Sequence, residues 1–130
     1  KSYKPDVVIL DMGDKFARTQ GFARTDEALK ANAIHARQIA KQHECAIFYM
    51  SQLSADAENK VVLNQAMMEG SRTGKAAEAD LMILIAKNPP VEGQEEEDTQ
   101  RHLNVVKNKL SGWHGIVHCE LNYKTARYEV

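Results

Sequence analysis

The run DVVILD, residues 6–11, places a carboxylate after four consecutive apolar residues, three of them β-branched. An aspartate where a strand stops commonly does one of two things. Asp11 caps a turn, or it holds a metal ion beside a phosphate. Two other groups of the same kind follow. Ser51 and Gln52 end a second apolar run, CAIFYM, and Lys107 and Lys109 lie near the end of a later one. In an open parallel sheet, ligands bind beyond the carboxyl ends of the strands. A carboxylate, an amide and two cations gathered there suit a nucleoside triphosphate with magnesium. The carboxylate holds Mg²⁺ directly or through water. The amide senses the γ-phosphate, and the cations offset charge on the phosphoryl oxygens.

These residues need a sheet to position them. Residues 6–11, 45–51 and 81–86 read as fully buried strands. Residues 12–24 contain two glycines and no sustained period, so they read as a loop. Thr25 suits an N-cap, with Asp26 and Glu27 in the first turn, where the helix dipole favours acids. Ala28, Leu29, Ala31, Ala33, Ile34, Ala36, Ile39 and Ala40 then form a helical apolar face reaching about Gln42. Residues 52–74 form a long connection, and 75–79 a short helical turn. Residues 101–109 and 115–122 alternate apolar and polar around LSGWH, the pattern of an antiparallel hairpin. Residues 126–130 add a short strand. The expected class is α/β, a parallel sheet extended by an antiparallel edge.

Composition narrows the setting. The 130 residues suit one domain, with 43% hydrophobic and 27% charged residues. No apolar run approaches the roughly 18 residues that span a bilayer, and no signal peptide heads the chain. Cys45 and Cys119 have no metal-ligand spacing and read as reduced thiols in a cytoplasmic protein. His35, His43, His102, His114 and His118 read as scattered, with His35 bordering the helix's buried face. Trp113 is an exposed turn residue or a subunit contact. A net charge of −1 neither suggests nor excludes a polyanionic partner. The distribution is more telling: Lys15, Arg18 and Arg24 share a stretch without acids, while residues 95–98 are all acidic.

Taken in order, VVILD, a helix, AIFYMSQLS, GSRTGKAAEADLMILIAKN and LNVVKNKLSG…GIVHCELNYKTARYEV resemble the second half of the ATPase domain of DnaB-type hexameric replicative helicases. These have the RecA-like P-loop NTPase fold, and phage primase–helicases are the nearest relatives. The resemblance spans nearly the whole chain. It implies that Asp11 is the Walker B aspartate that binds Mg²⁺. It implies that Gln52 links the γ-phosphate state to the DNA-binding loops. Lys107 and Lys109 match the Lys-x-Arg pair that reaches the neighbouring subunit's ATP. Being two apart, they point to one face if both lie on a strand. Loops 12–24 and 53–73 match the segments that grip single-stranded DNA in the ring's channel, which makes Lys15, Arg18, Arg24 and Lys60 candidate contacts. The implied partners are single-stranded DNA, further subunits of a hexamer, a primase and a replication polymerase.

Two departures qualify this. Lys109 stands where the family has an arginine finger, and lysine lacks the bidentate fork; Arg101 or Arg127 is the alternative. No G-x-x-x-x-G-K-S/T occurs, and Gly74-Lys75 has the wrong spacing and follows a polar loop. The chain therefore reads as the C-terminal part of a longer protein that holds half of an active site. The competing readings are another RecA-fold ATPase, either a recombinase or a regulatory ring protein, and a non-catalytic assembly module.

Overall fold

The computed structural model describes residues 4–16, 25–69, 74–93 and 98–130. They form two units, one of residues 1–54 and 68–79, the other of 55–67 and 80–130.

In the first unit, β1 (Val7–Leu10) and β2 (Ala46–Tyr49) pair in parallel, with Val7 opposite Ala46 and Leu10 opposite Tyr49. The ladder continues through Ala46 N–H to the Asp6 carbonyl (2.9 Å) and Met50 N–H to the Leu10 carbonyl (3.1 Å). Parallel strands need a crossover, and α1 (Thr25–His43) lies between them in sequence. Its buried side is made of small residues, Ala28, Ala33 and Ala36, with Leu29. Capping by the Thr25 side chain lies outside the described residues. His35 is exposed. The helix ends when Glu44 takes a left-handed φ of 52°. Cys45 N–H then returns to the Ala40 carbonyl at 3.1 Å, a Schellman closure that satisfies a helix-end carbonyl. α2 (Gly74–Glu78) packs on α1, and the Arg37 guanidinium donates to the Glu78 carbonyl.

The expected full burial of the first two strands is corrected. Val7, Ile9 and Phe48 are each more than half exposed. Successive side chains of a strand point to opposite faces, and in this unit only one face is covered.

The second unit is an antiparallel sheet in the order β3 (Leu81–Lys87), β4 (Gln100–Asn108), β5 (Gly115–Asn122), β6 (Arg127–Glu129). The expected parallel placement of 81–86 is thereby corrected: β3 pairs antiparallel with β4, with a bulge between Met82 and Ile83. The hairpin of β4 and β5 is as the alternation predicts. Asn108 Oδ1 organises its turn by accepting from Leu110 N–H (3.0 Å) and Ser111 N–H (3.1 Å). Trp113 stays half-exposed there. Segment 61–65 docks on β4 through Asn104, which is 2% exposed. Its Oδ1 accepts from Leu63 N–H at 2.9 Å, and its Nδ2 donates to the Val61 carbonyl at 3.0 Å. The reading of scattered histidines is also corrected. His102 and His118 are cross-strand partners whose Nδ1 atoms are 2.8 Å apart. Both cysteines are free thiols. Among the described residues no helix is long and apolar enough to cross a membrane.

Candidate functional site at the carboxyl ends of the parallel strands

After β1 the chain turns through Met12, whose φ is 54°, into a 3-10 turn, Gly13–Lys15. Gly13 N–H donates to the Met50 carbonyl at 3.0 Å. A Cβ at Gly13 would lie 2.5 Å from the Tyr49 ring. Only glycine lets this loop close so tightly over the end of β2. The closure sets the loop that carries Asp11 beside the segment that carries Ser51 and Gln52. Asp11 is exposed, and among the described residues its carboxylate has no hydrogen-bond or ion-pair partner. Gln52 is exposed too, and its backbone carbonyl accepts from Glu69 N–H at 3.2 Å. Lys15 is exposed on the 3-10 turn.

The structure adds a cluster that the sequence reading missed. Asp14 accepts from Lys75 Nζ at 2.8 Å, from the Tyr49 hydroxyl at 3.1 Å and from the Ser51 hydroxyl. Lys75 Nζ also donates to Ser51 Oγ at 2.7 Å. The Lys75 side chain is only 3% exposed and that of Asp14 15%. Burial first, then the Asp14 charge and its hydrogen bond, hold the Tyr49 proton well above the usual phenol range. Gly74-Lys75 is visible in the sequence, but its partner is 61 residues away, a separation that carries no local signal.

In the second unit, Lys107 is half-buried on β4 opposite Met82. β4 stops at Asn108, so Lys109 falls just beyond the strand. The same-face argument for the two lysines is therefore corrected, because strand alternation does not extend to Lys109. Its backbone N–H donates to the Asp80 carbonyl at 2.8 Å, and its ammonium sits 3.6 Å from the Asp80 carboxylate. Lys60 is exposed after a 3-10 turn, Ala55–Ala57. Arg101 is already engaged, donating to the Asp98 carbonyl at 2.8 Å and lying 5.7 Å from the Tyr123 ring centre. Arg127 is exposed on β6. Arg18 and Arg24 lie outside the described residues.

Among the described residues no three His, Cys, Asp or Glu side chains converge. A lone exposed carboxylate at Asp11 nonetheless fits Mg²⁺, which keeps most of its waters and takes one or two carboxylates plus phosphate oxygens. At this edge Asp11 can offer a metal ligand and Gln52 an amide, while Asp14, Ser51 and Lys75 satisfy one another.

No protein-family model and no curated protein matches the chain. Solved structures do. A DnaB-like replicative helicase, described with its interactions with primase, superposes with a TM-score of 0.78 at 13% identity, over 95% of this chain and 29% of that one. The ATPase domain of a phage helicase gives a TM-score of 0.80 at 13% identity, over 95% of this chain and 43% of that one. The chain thus spans less than half the length of either. Its α/β elements, a parallel pair and an antiparallel sheet, are those of RecA-fold helicase domains. Over 95% of its length, this chain has the fold of the ATPase domain of DnaB-like replicative helicases.

Proposed function

We propose that the chain is part of an ATP-driven replicative DNA helicase that translocates on single-stranded DNA. The observation that carries this reading is the fold likeness over 95% of the chain, at TM-scores of 0.78 and 0.80. The site supports it. Asp11 follows Leu10, Gln52 follows β2 by three residues, and Leu10 and Tyr49 are register partners. Both side chains thus belong to the sheet edge where ligands bind in open α/β sheets. In this reading Asp11 holds Mg²⁺ with ATP, and Gln52 reads the γ-phosphate. The backbone cradle and lysine of a phosphate-binding loop come from the remainder of a longer protein. The exposed apolar face of β1 and β2, carrying Val7, Ile9 and Phe48, is then a surface that this remainder covers. Lys107 and Lys109 reach the ATP of a neighbouring subunit in a hexameric ring. Lys15, Arg18, Arg24 and Lys60 contact single-stranded DNA. A primase and a replication polymerase are the expected partners, and the cytoplasm, that of a bacterial host for a phage protein, is the setting.

The test is turnover by the full-length protein. It should hydrolyse ATP with Mg²⁺, faster with single-stranded DNA. Asp11→Asn should keep the fold and abolish hydrolysis. Near-normal turnover in that variant would make Asp11 a structural residue and remove the metal assignment. A full-length protein that binds neither nucleotide nor DNA would leave the assembly-module reading in its place.

A further inference from the structure

We propose that Lys75 is a positioning residue that locks together the loop carrying Asp11 and the segment carrying Gln52. Three stretches of chain meet at its ammonium: the 3-10 turn after β1 through Asp14, the end of β2 through Ser51, and α2 through Lys75 itself. Lysine is almost never fully buried unless paired. Here the side chain is 3% exposed and spends two of its three donors within the cluster, at 2.8 and 2.7 Å. Asp14 accepts from three side chains at once. Such a set constrains direction as well as distance, since each added partner removes a rotamer from the others.

Stability alone does not call for this arrangement. Buried ion pairs are often replaceable by apolar residues of similar volume without loss, whereas removing one partner strands a charge. Conformational specificity is the property a buried network of this kind can supply. Its location says what is specified. Ser51 immediately precedes Gln52, and Asp14 follows Asp11 by three residues. A second clasp lies just beyond, where Leu53 bridges Met68 and the Gln52 carbonyl accepts from Glu69 N–H. Asp11 and Gln52 themselves remain exposed and free for a ligand. Lys75, Ser51 and Asp14 form the floor that fixes where those two side chains stand.

This inference rests on the helicase reading for its catalytic consequence, so the test carries a readout that does not. Lys75→Met, Asp14→Asn and the double variant are made in the full-length protein. Lys4→Gln, which breaks an exposed pair with Glu44 at 3.0 Å, serves as control. Hydrogen exchange is followed in peptides covering 11–16 and 50–54, where Gly13 N–H is bonded to the Met50 carbonyl. ATP turnover is measured in parallel. The double variant removes both charges and should keep α1 as protected as in the parent. It should still exchange at least roughly tenfold faster in 11–16 and 50–54. Misplacement of about 1 Å costs on the order of a hundredfold in rate, so kcat should fall by about that factor, with KM within about threefold. Lys4→Gln should change neither. A double variant with parental loop protection and parental kcat makes the cluster structural only and overturns the proposal. If the parent does not hydrolyse ATP, the helicase reading fails, and loop exchange alone decides the role of Lys75.

Discussion

Replacing Asn104 by alanine should release the segment that follows Lys60. Asn104 is 2% exposed and Leu63 4%. Its Oδ1 is the acceptor for Leu63 N–H at 2.9 Å, and its Nδ2 supplies the carbonyls of Val61 at 3.0 Å and His102 at 3.1 Å. Alanine can do neither. A buried donor left without an acceptor costs about 1–3 kcal/mol. The two carbonyls lose a weaker benefit, because a carbonyl has two lone pairs and tolerates a missing donor better. The sum is about 3 kcal/mol for holding residues 61–63 on β4. At 1.4 kcal/mol per tenfold, that is roughly a hundredfold in a local opening equilibrium. Hydrogen exchange of peptides covering 61–66 reads this directly, with α1 as an internal reference. The expected result is exchange about a hundredfold faster in 61–66 and unchanged protection in α1. A change below about threefold would refute the reasoning, since Leu63 N–H would then have found another partner at no cost. If Lys60 contacts DNA, the same variant should also weaken single-strand binding without altering ATP affinity.

Lys109→Ala in the full-length protein should cut ATP turnover strongly while nucleotide affinity changes little, because trans-acting cations are worth on the order of a thousandfold in rate. Its present partner Asp80, at 3.6 Å and half-exposed, is a weak competitor for that charge. Rings mixed from Asp11→Asn and Lys109→Ala subunits should recover hydrolysis above either parent, and co-assembled rings with no recovery would count against a trans role. Replacing Lys15 and Lys60 together by alanine should lower single-strand affinity and reduce its salt slope by about 0.7 per lost phosphate contact; an unchanged slope returns both to ordinary surface. Tyr49→Phe addresses alkaline stability. The folded state raises the Tyr49 pKa, chiefly by burial. The phenol thus favours the native state below its unfolded value of about 10, and that benefit is lost as pH rises further, because the unfolded chain ionises first. Denaturation midpoints should therefore fall less between pH 9 and 11, to within about 0.2 pH of each setting, in Tyr49→Phe than in the parent. Equal losses would place Tyr49 outside the pH response.

Much of the fold was legible without coordinates, for reasons specific to each element. α1 announced itself because Ala28, Leu29, Ala33 and Ala36 recur at helical spacing, and these are the residues it buries. The β4–β5 hairpin was legible because its two arms alternate around Asn108 and Gly112, whose side-chain hydrogen bonds and positive φ of 76° make the turn. Asp11 and Gln52 were legible as strand-end residues, since an apolar run followed by a polar residue marks where a strand leaves the sheet. The family resemblance extended these readings to a fold at 13% identity.

What escaped depends on partners distant in the chain. The run 81–86 contains no information on whether its neighbour is parallel or antiparallel; β3 was decided by β4. Nor does an apolar run say whether one face or both are covered, so Val7, Ile9 and Phe48 read as buried when only their neighbours are. Lys75 is the strongest case. By type it belongs on the surface, and its local sequence resembles a spoiled phosphate loop. Only folding brings Asp14 and Ser51, 61 and 24 residues away, within 2.8 Å of its ammonium. A charge can be buried when opposite charge and hydrogen-bond acceptors are supplied there, and that supply is a property of tertiary structure. Periodicity belongs to a segment and can be read from it; the solvation of a side chain belongs to everything that packs around it.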